Sequence, residues 1–180
     1  MKDPFNNNPL SIKLAELSDN EALFEIFNNI ETVKFTNFKV YEDLETLNEF
    51  LINFFSLNLK EPLQYGPYCI YFNNTIIGLC GLQQKDLDEG SAELWYILHK
   101  DYWGKGFAGK AVELLFELSR SNNLLKLIYA ETVDTNIASW KILENHGFIR
   151  TAEIKQGFKK GDFEANLFQY VLKTNKTSLA

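Results

Sequence analysis

With 24 acidic against 18 basic side chains in 180 residues, the net charge is −6. That balance argues against a nucleic-acid-binding surface and is compatible with a cationic acceptor such as an amine. At 46% hydrophobic, with 15 Phe and 8 Tyr, residues 1–180 can build a single domain with a full-sized core. Cys69 and Cys80 are too few for a disulfide framework, no Cys/His cluster spells a metal site, and both read as small buried apolar residues. No apolar run approaches a membrane span and the N-terminus has no signal-peptide core, so a soluble, cytoplasmic protein is expected.

Residues 10–17 alternate as a first strand. Ser18 followed by Glu21 has capping-box spacing and opens a helix with Ala22, Leu23, Ile26 and Phe27 on one face. Residues 31–43 are irregular and aromatic. Leu44, Leu47, Phe50, Leu51 and Phe54 then recur at helical spacing over 41–57, a stripe read as core. Residues 66–82 predict a hairpin turning at Asn73-Asn74, and 91–98 a further strand. Ala108, Val112, Leu115 and Phe116 mark a helix over 106–121. Residues 124–131 are apolar on both faces at their centre, as suits a buried strand. Asn136 suits the N-cap of a short helix over 136–145, which Gly147 ends. Residues 148–156 and 163–172 pair around Lys159-Lys160-Gly161. The order is strand, two helices, three strands, helix, strand, helix, two strands: an α+β (α/β) class.

The segment W-G-K-G-F-A-G-K-A, residues 103–111, satisfies several phosphate-binding patterns at once. Gly104, Gly109 and Lys110 fit G-x-x-x-x-G-K, the start of a P-loop, but Ala111 has no hydroxyl for magnesium. Gly104, Gly106 and Gly109 fit G-x-G-x-x-G, the dinucleotide fingerprint, and Glu131 stands where a ribose-binding acid belongs. Against that, H-K-D-Y-W separates Leu98 from Gly104, and too little chain follows Glu131 for the remaining parallel strands. What the readings share is a glycine-rich turn feeding a helix N-terminus, whose free N–H groups and dipole hold a phosphate.

The stretch S-A-E-L-W-Y-I-L-H-K-D-Y-W-G-K-G-F-A-G-K-A resembles the GNAT superfamily of N-acetyltransferases. Its loop is Q/R-x-x-G-x-G/A. Trp103 takes the first place, Gly106 the central glycine and Ala108 the last small residue, and Y-W-G-K-G looks like the RimJ/RimL branch. Downstream, Asn136, Ser139, Gly147 and Phe148 reproduce that branch's N-x-x-S and G-F spacing. The match is close over 91–170 and extends over 10–172. The resemblance implies a GNAT fold, a mixed, mostly antiparallel sheet whose fourth and fifth strands splay apart around coenzyme A.

By that resemblance, backbone groups near Ile97 and Leu98 run beside the pantetheine and polarise the thioester carbonyl. Amides of Trp103, Gly104, Lys105, Gly106, Phe107 and Ala108, extending to Gly109 and Lys110, bind the pyrophosphate. For Lys105 and Lys110 solvated helix charge is an equal alternative. Asn136 holds the pantetheine arm, and either Ser139 or a water protonates the departing thiolate. Many of these enzymes use a tyrosine four residues beyond that serine, where this chain has Leu143, which cannot donate a proton. Glu93 is the first candidate for the base that frees the amine and Glu131 the second. The branch's usual glutamate falls at Gly157 or Phe158. Phe35, Phe38, Tyr41, Phe158 and Phe163 are expected on the acceptor side, or in the core. The implied reaction is direct transfer from acetyl-CoA to a primary amine with no metal. Dimers are common in the branch, and the oligomeric state stays open. The alternative is a non-catalytic acyl-CoA-binding module on the same fold.

Overall fold

The chain runs β1 (Ser11–Leu14), α1 (Asn20–Phe27), α2 (Ile30–Val33), α3 (Leu44–Leu57), β2 (Tyr65–Phe72), β3 (Thr75–Asp86) and β4 (Ser91–Leu98). It continues through α4 (Phe107–Ser119), β5 (Leu127–Val133), α5 (Ile137–Asn145), β6 (Ile149–Lys160) and β7 (Phe163–Lys173). The computed structural model describes residues 10–57 and 62–174. The predicted hairpin turns at Asn73-Asn74, where both residues take positive φ, at 50° and 64°. That is the mirror-image turn that matches the twist of paired strands. Gly147, at φ 83°, ends α5 as expected.

Several boundaries differ from expectation, β3 running on to Asp86 and β6 to Lys160 among them. The first helix is not opened by Ser18, whose hydroxyl bonds the Glu16 carboxylate. Instead the Glu16 N–H donates to Asp19 Oδ2 at 2.9 Å, ahead of a 3-10 turn that leads into α1. Residues 31–43 are not wholly irregular. Asn29 Oδ1 accepts from Glu31 N at 3.0 Å and Thr32 N at 3.4 Å, starting the one-turn helix α2. The fifth strand begins at Leu127 rather than 124.

One sheet holds seven strands in the order β1-β2-β3-β4-β5-β7-β6. Every neighbouring pair is antiparallel except β4 and β5. Those two are parallel, and they pair only at Ser91↔Leu127, Ala92↔Ile128 and Glu93↔Tyr129. Beyond Glu93 they part, while β5 stays paired to β7 as far as Val133. This is the mixed, mostly antiparallel sheet with splayed fourth and fifth strands that the resemblance implied.

Strand alternation gives each face its own core. Leu94 and Leu98 of β4, Ile128 and Ala130 of β5, and Val112 and Leu115 of α4 share one cluster. Ile97, Leu79 and Cys69 pack with Leu23 and Phe27 of α1 and Leu47 and Leu51 of α3 on the other face. Each large aliphatic side chain so buried contributes about 1.5–3 kcal/mol, which is what fixes β4 between the layers.

Candidate active site

Where β4 and β5 part, the sheet opens into a cavity of about 350 Å³. Its walls come from both faces. Tyr96, Phe107, Asn136 and Ser139 stand on the α4/α5 side, and Thr32, Phe35 and Thr36 on the α2 side. The gap is therefore a passage through the sheet, so two reactants can meet from opposite faces.

The backbone of β4 supplies a donor there. His99 N–H donates to Ile77 O at 2.8 Å, so alternation turns the peptide groups of Ile97 toward β3. Those of Tyr96 and Leu98 turn to the side from which β5 has withdrawn. Of the expected pair, Leu98 thus presents its N–H to the gap. Ile97 lines the cavity, but its peptide groups belong to the β3 ladder. The Leu98 carbonyl accepts from Trp103 Nε1 at 2.8 Å, tying the loop to the strand end.

That loop carries Gly104 and Gly106 at φ 71° and 80°, a region L side chains rarely adopt. A Cβ at either would meet nothing within 4 Å, so the backbone here faces open space. Gly106 is the N-cap of α4 and offers no side chain to its first amides. The first turn of a helix leaves its N–H groups without intrahelical partners, and these sit at the positive end of the dipole. Phe107 and Ala108 line the cavity at this point, with Trp103, Gly104 and Gly106. An uncapped helix end facing open space at a cavity mouth fits a pyrophosphate.

Across the gap, Asn136 is the N-cap of α5, its Oδ1 accepting from Ser139 N at 3.3 Å. Its Nδ2 has no partner among the described residues and is available to a ligand amide. Ser139 Oγ lies 2.9 Å from the Tyr96 hydroxyl. Burial pushes the Tyr96 phenol up to about 12, partly offset by this bond, so it remains a neutral donor at neutral pH. Tyr96, Tyr102, Thr32, Thr36 and Ile142 also line the cavity without having been singled out from sequence.

On the α2 side, Phe35 packs edge-on to Phe163 with ring centroids 5.8 Å apart. Phe163 meets Phe158, which is buried with Val133 and Ala165. Phe38 and Tyr41 pack around Phe27 and Phe50 in the α1/α3 core instead. Lys160, at the end of β6, clamps the α2 segment. Its Nζ donates to Val33 O at 2.7 Å, Thr36 O at 3.1 Å and the Phe38 carbonyl. Lys160→Met removes this donor from the Thr36 and Phe38 carbonyls, while Val33 O keeps its bonds from Thr36 N and Oγ1, an expected loss of about 1–3 kcal/mol. For a chain of this size that is a fall of roughly 2–12 °C in Tm by differential scanning fluorimetry.

Several sequence candidates fall outside the cavity. Glu93 stands where β4 and β5 are still paired, and its carboxylate is 3.6 Å from Lys85 Nζ. It does not line the cavity, because the strands separate only after it. Glu131 is exposed and accepts from Gln169 Nε2 at 2.8 Å. Lys105 Nζ bonds Asp101 O at 2.8 Å, and Lys110 Nζ lies 2.6 Å from Glu113 Oε2, so both ammonium groups are drawn along the surface. At Gly109 a Cβ would come 3.3 Å from His146 Cε1, so this glycine lets α4 approach α5. Cys69 and Cys80 are buried free thiols in β2 and β3, away from the cavity.

Comparison with known proteins decides what this architecture is. Residues 10–149 match the family model described as an acetyltransferase (GNAT) domain. The chain belongs to the GNAT acetyltransferase family. As a GNAT member it is similar to the uncharacterized N-acetyltransferase p20 of Bacillus licheniformis, 27% identical over 139 residues that cover 77% of this chain and 78% of that protein. Its fold matches the RimL ribosomal L7/L12 alpha-N-protein acetyltransferase in complex with coenzyme A, with TM-score 0.80, 15% identity, and 94% and 96% of the two chains covered. The GNAT fold also aligns with spermidine N-acetyltransferase from Vibrio cholerae in complex with CoA and spermine. There the TM-score is 0.78, with 19% identity over 92% of this chain and 95% of that one. Family membership makes the chain an acyltransferase.

Proposed function

We propose that this protein transfers the acetyl group of acetyl-CoA to a primary amine, the amine attacking the thioester directly. The observation that carries this reading is one cavity shared by an uncapped helix N-terminus, the Asn136 amide and the Ser139 hydroxyl, opened by the parting of β4 and β5. The pyrophosphate would sit on Gly104–Ala108 amides, the pantetheine against Asn136, and the thioester carbonyl near Leu98 N–H. Solved relatives that bind coenzyme A while acting on a ribosomal protein or holding spermine support both partners. The acceptor is read as a protein N-terminus or a small amine, entering past Thr32, Phe35 and Thr36.

Release of free coenzyme A thiol over a panel of primary amines tests this. Turnover on at least one amine is expected, and no turnover on any would overturn it. Direct attack also requires that neither Cys69 nor Cys80 becomes acetylated during turnover, which intact-mass spectrometry reads.

Among the described residues no carboxylate lines the cavity, so the amine's proton is given to solvent. The ammonium form has no lone pair, so kcat/KM should climb with pH toward the acceptor amine's own pKa. A plateau reached near pH 5–6 would point to a carboxylate base instead. A non-catalytic acyl-CoA-binding module would instead be marked by thermal stabilisation with acetyl-CoA and no thiol release.

A further inference from the structure

Ser139 alone is a poor acid. An alcohol that gives its proton to a departing thiolate is left as an alkoxide, far more basic than the sulfur it protonated. The structure puts a second hydroxyl behind it. Tyr96 lies on the splayed half of β4, three residues past the last β4–β5 pair, with its ring packed toward α4 and α5. Its hydroxyl crosses the opened gap to the first turn of α5, 2.9 Å from Ser139 Oγ and 3.4 Å from the Ser139 carbonyl. The shorter contact is the effective one, because a bond at 3.4 Å is weak. A phenol is a stronger acid and a poorer acceptor than an alcohol, so Tyr96 is the donor of the pair. That leaves the Ser139 proton to point elsewhere, and both residues line the cavity. The Asn136 cap holds the Ser139 backbone in place. Leu143, where many relatives of this type carry a tyrosine, is buried and has no proton to give.

We propose that Tyr96 is a positioning residue that acts through Ser139, polarising it and replacing the proton it delivers to the sulfur. This rests on reading Ser139 as the group that protonates the thiolate. In balance, the C–N bond forms as the C–S bond breaks, and the sulfur leaves with the electron pair. The sulfur takes the Ser139 proton, and Ser139 takes that of Tyr96. A proton from solvent, matching the one the amine nitrogen releases there, returns the phenolate to the phenol. Charge ends transiently on a phenolate rather than an alkoxide, and hydroxyls in series strengthen one another.

The test uses coenzyme A itself as probe. The thiolate absorbance of enzyme-bound coenzyme A is titrated in the wild type, Tyr96→Phe, Ser139→Ala and the double variant. Burial holds both protein thiols far above the usual range, Cys80 at about 12, so they stay silent. Hydrogen bonds to a thiolate lower its pKa, so each single variant should raise the bound thiol's pKa by about one unit, a tenfold loss of thiolate. The double variant should go no further than Ser139→Ala. In parallel, kcat with the fastest amine should fall about 10- to 100-fold in each single variant, with KM for acetyl-CoA within about threefold.

A silent Ser139→Ala overturns the underlying reading of the serine. An effective Ser139→Ala beside a silent Tyr96→Phe overturns only the role of Tyr96. Losses that multiply in the double variant make Tyr96 an independent strut and overturn the relay. Should Tyr96→Phe fail to fold, 3,5-difluorotyrosine at position 96 keeps the shape and acidifies the phenol. The relay requires it to lower the bound thiol's pKa, and an unchanged titration overturns it.

Discussion

Gly106→Asp is expected to weaken coenzyme A binding at least a hundredfold while lowering Tm by only a few degrees. The residue sits at φ 80° with open space around a would-be Cβ. The folding cost is therefore the left-handed backbone alone, about 1–2 kcal/mol, or roughly 2–8 °C in Tm. Binding is hit harder. A carboxylate about 5 Å from a pyrophosphate charge, at an effective dielectric near 20, costs roughly 3 kcal/mol, more than two decades in Kd. Gly106→Ala carries the same backbone strain without the charge and is the control. Calorimetric titration with coenzyme A reads both. If the aspartate and alanine variants bind within threefold of each other, no phosphate lies over this turn.

The glycine-loop end of the cavity was legible because it depends on residue types with few other uses. Glycines in a turn before a helix and an asparagine cap leave a mark in sequence wherever they occur; here Gly104 and Gly106 take positive φ and Asn136 caps α5. Tyr96 was not legible. An aromatic residue inside an apolar strand reads as core, and its ring is indeed packed there, while only the hydroxyl's reach across the gap makes it functional. Glu93 falls outside the cavity for a related reason. Whether a residue on β4 faces the cleft depends on where β5 stops pairing, and that register follows from the true start of β5 at Leu127. The periodicity of an apolar run does not locate such a boundary. The short helix α2 escaped because four residues are too few to display a period, although Asn29 followed by Glu31 was a usable capping signal. Lys160 reaches carbonyls more than a hundred positions earlier in the chain, a contact no local pattern encodes.

The second large effect concerns how tightly β4 is held at the cavity. Gly78 lies opposite Leu98, and a Cβ there would stand 2.3 Å from the Ile97 carbonyl oxygen and 2.6 Å from Leu98 Cδ2. The first of these is backbone and cannot swing aside, so Gly78→Ala must push the end of β4 away from β3. Overpacking of this kind costs about 3 kcal/mol, a fall of roughly 6–12 °C in Tm. The displaced segment carries the Leu98 N–H that faces the gap and the carbonyl that anchors Trp103. Catalysis is sensitive to such shifts, since a misplacement near 1 Å can cost about a hundredfold, so kcat should drop at least tenfold. Gly81→Ala separates site from stability. Its Cβ would be equally unwelcome, 2.8 Å from both Tyr65 O and Trp95 Cζ2, but that strain falls nearer the paired half of β4. A comparable loss of Tm with kcat within threefold of wild type is expected for Gly81→Ala. If kcat instead tracks Tm equally in both variants, the strand end has no special part in the chemistry.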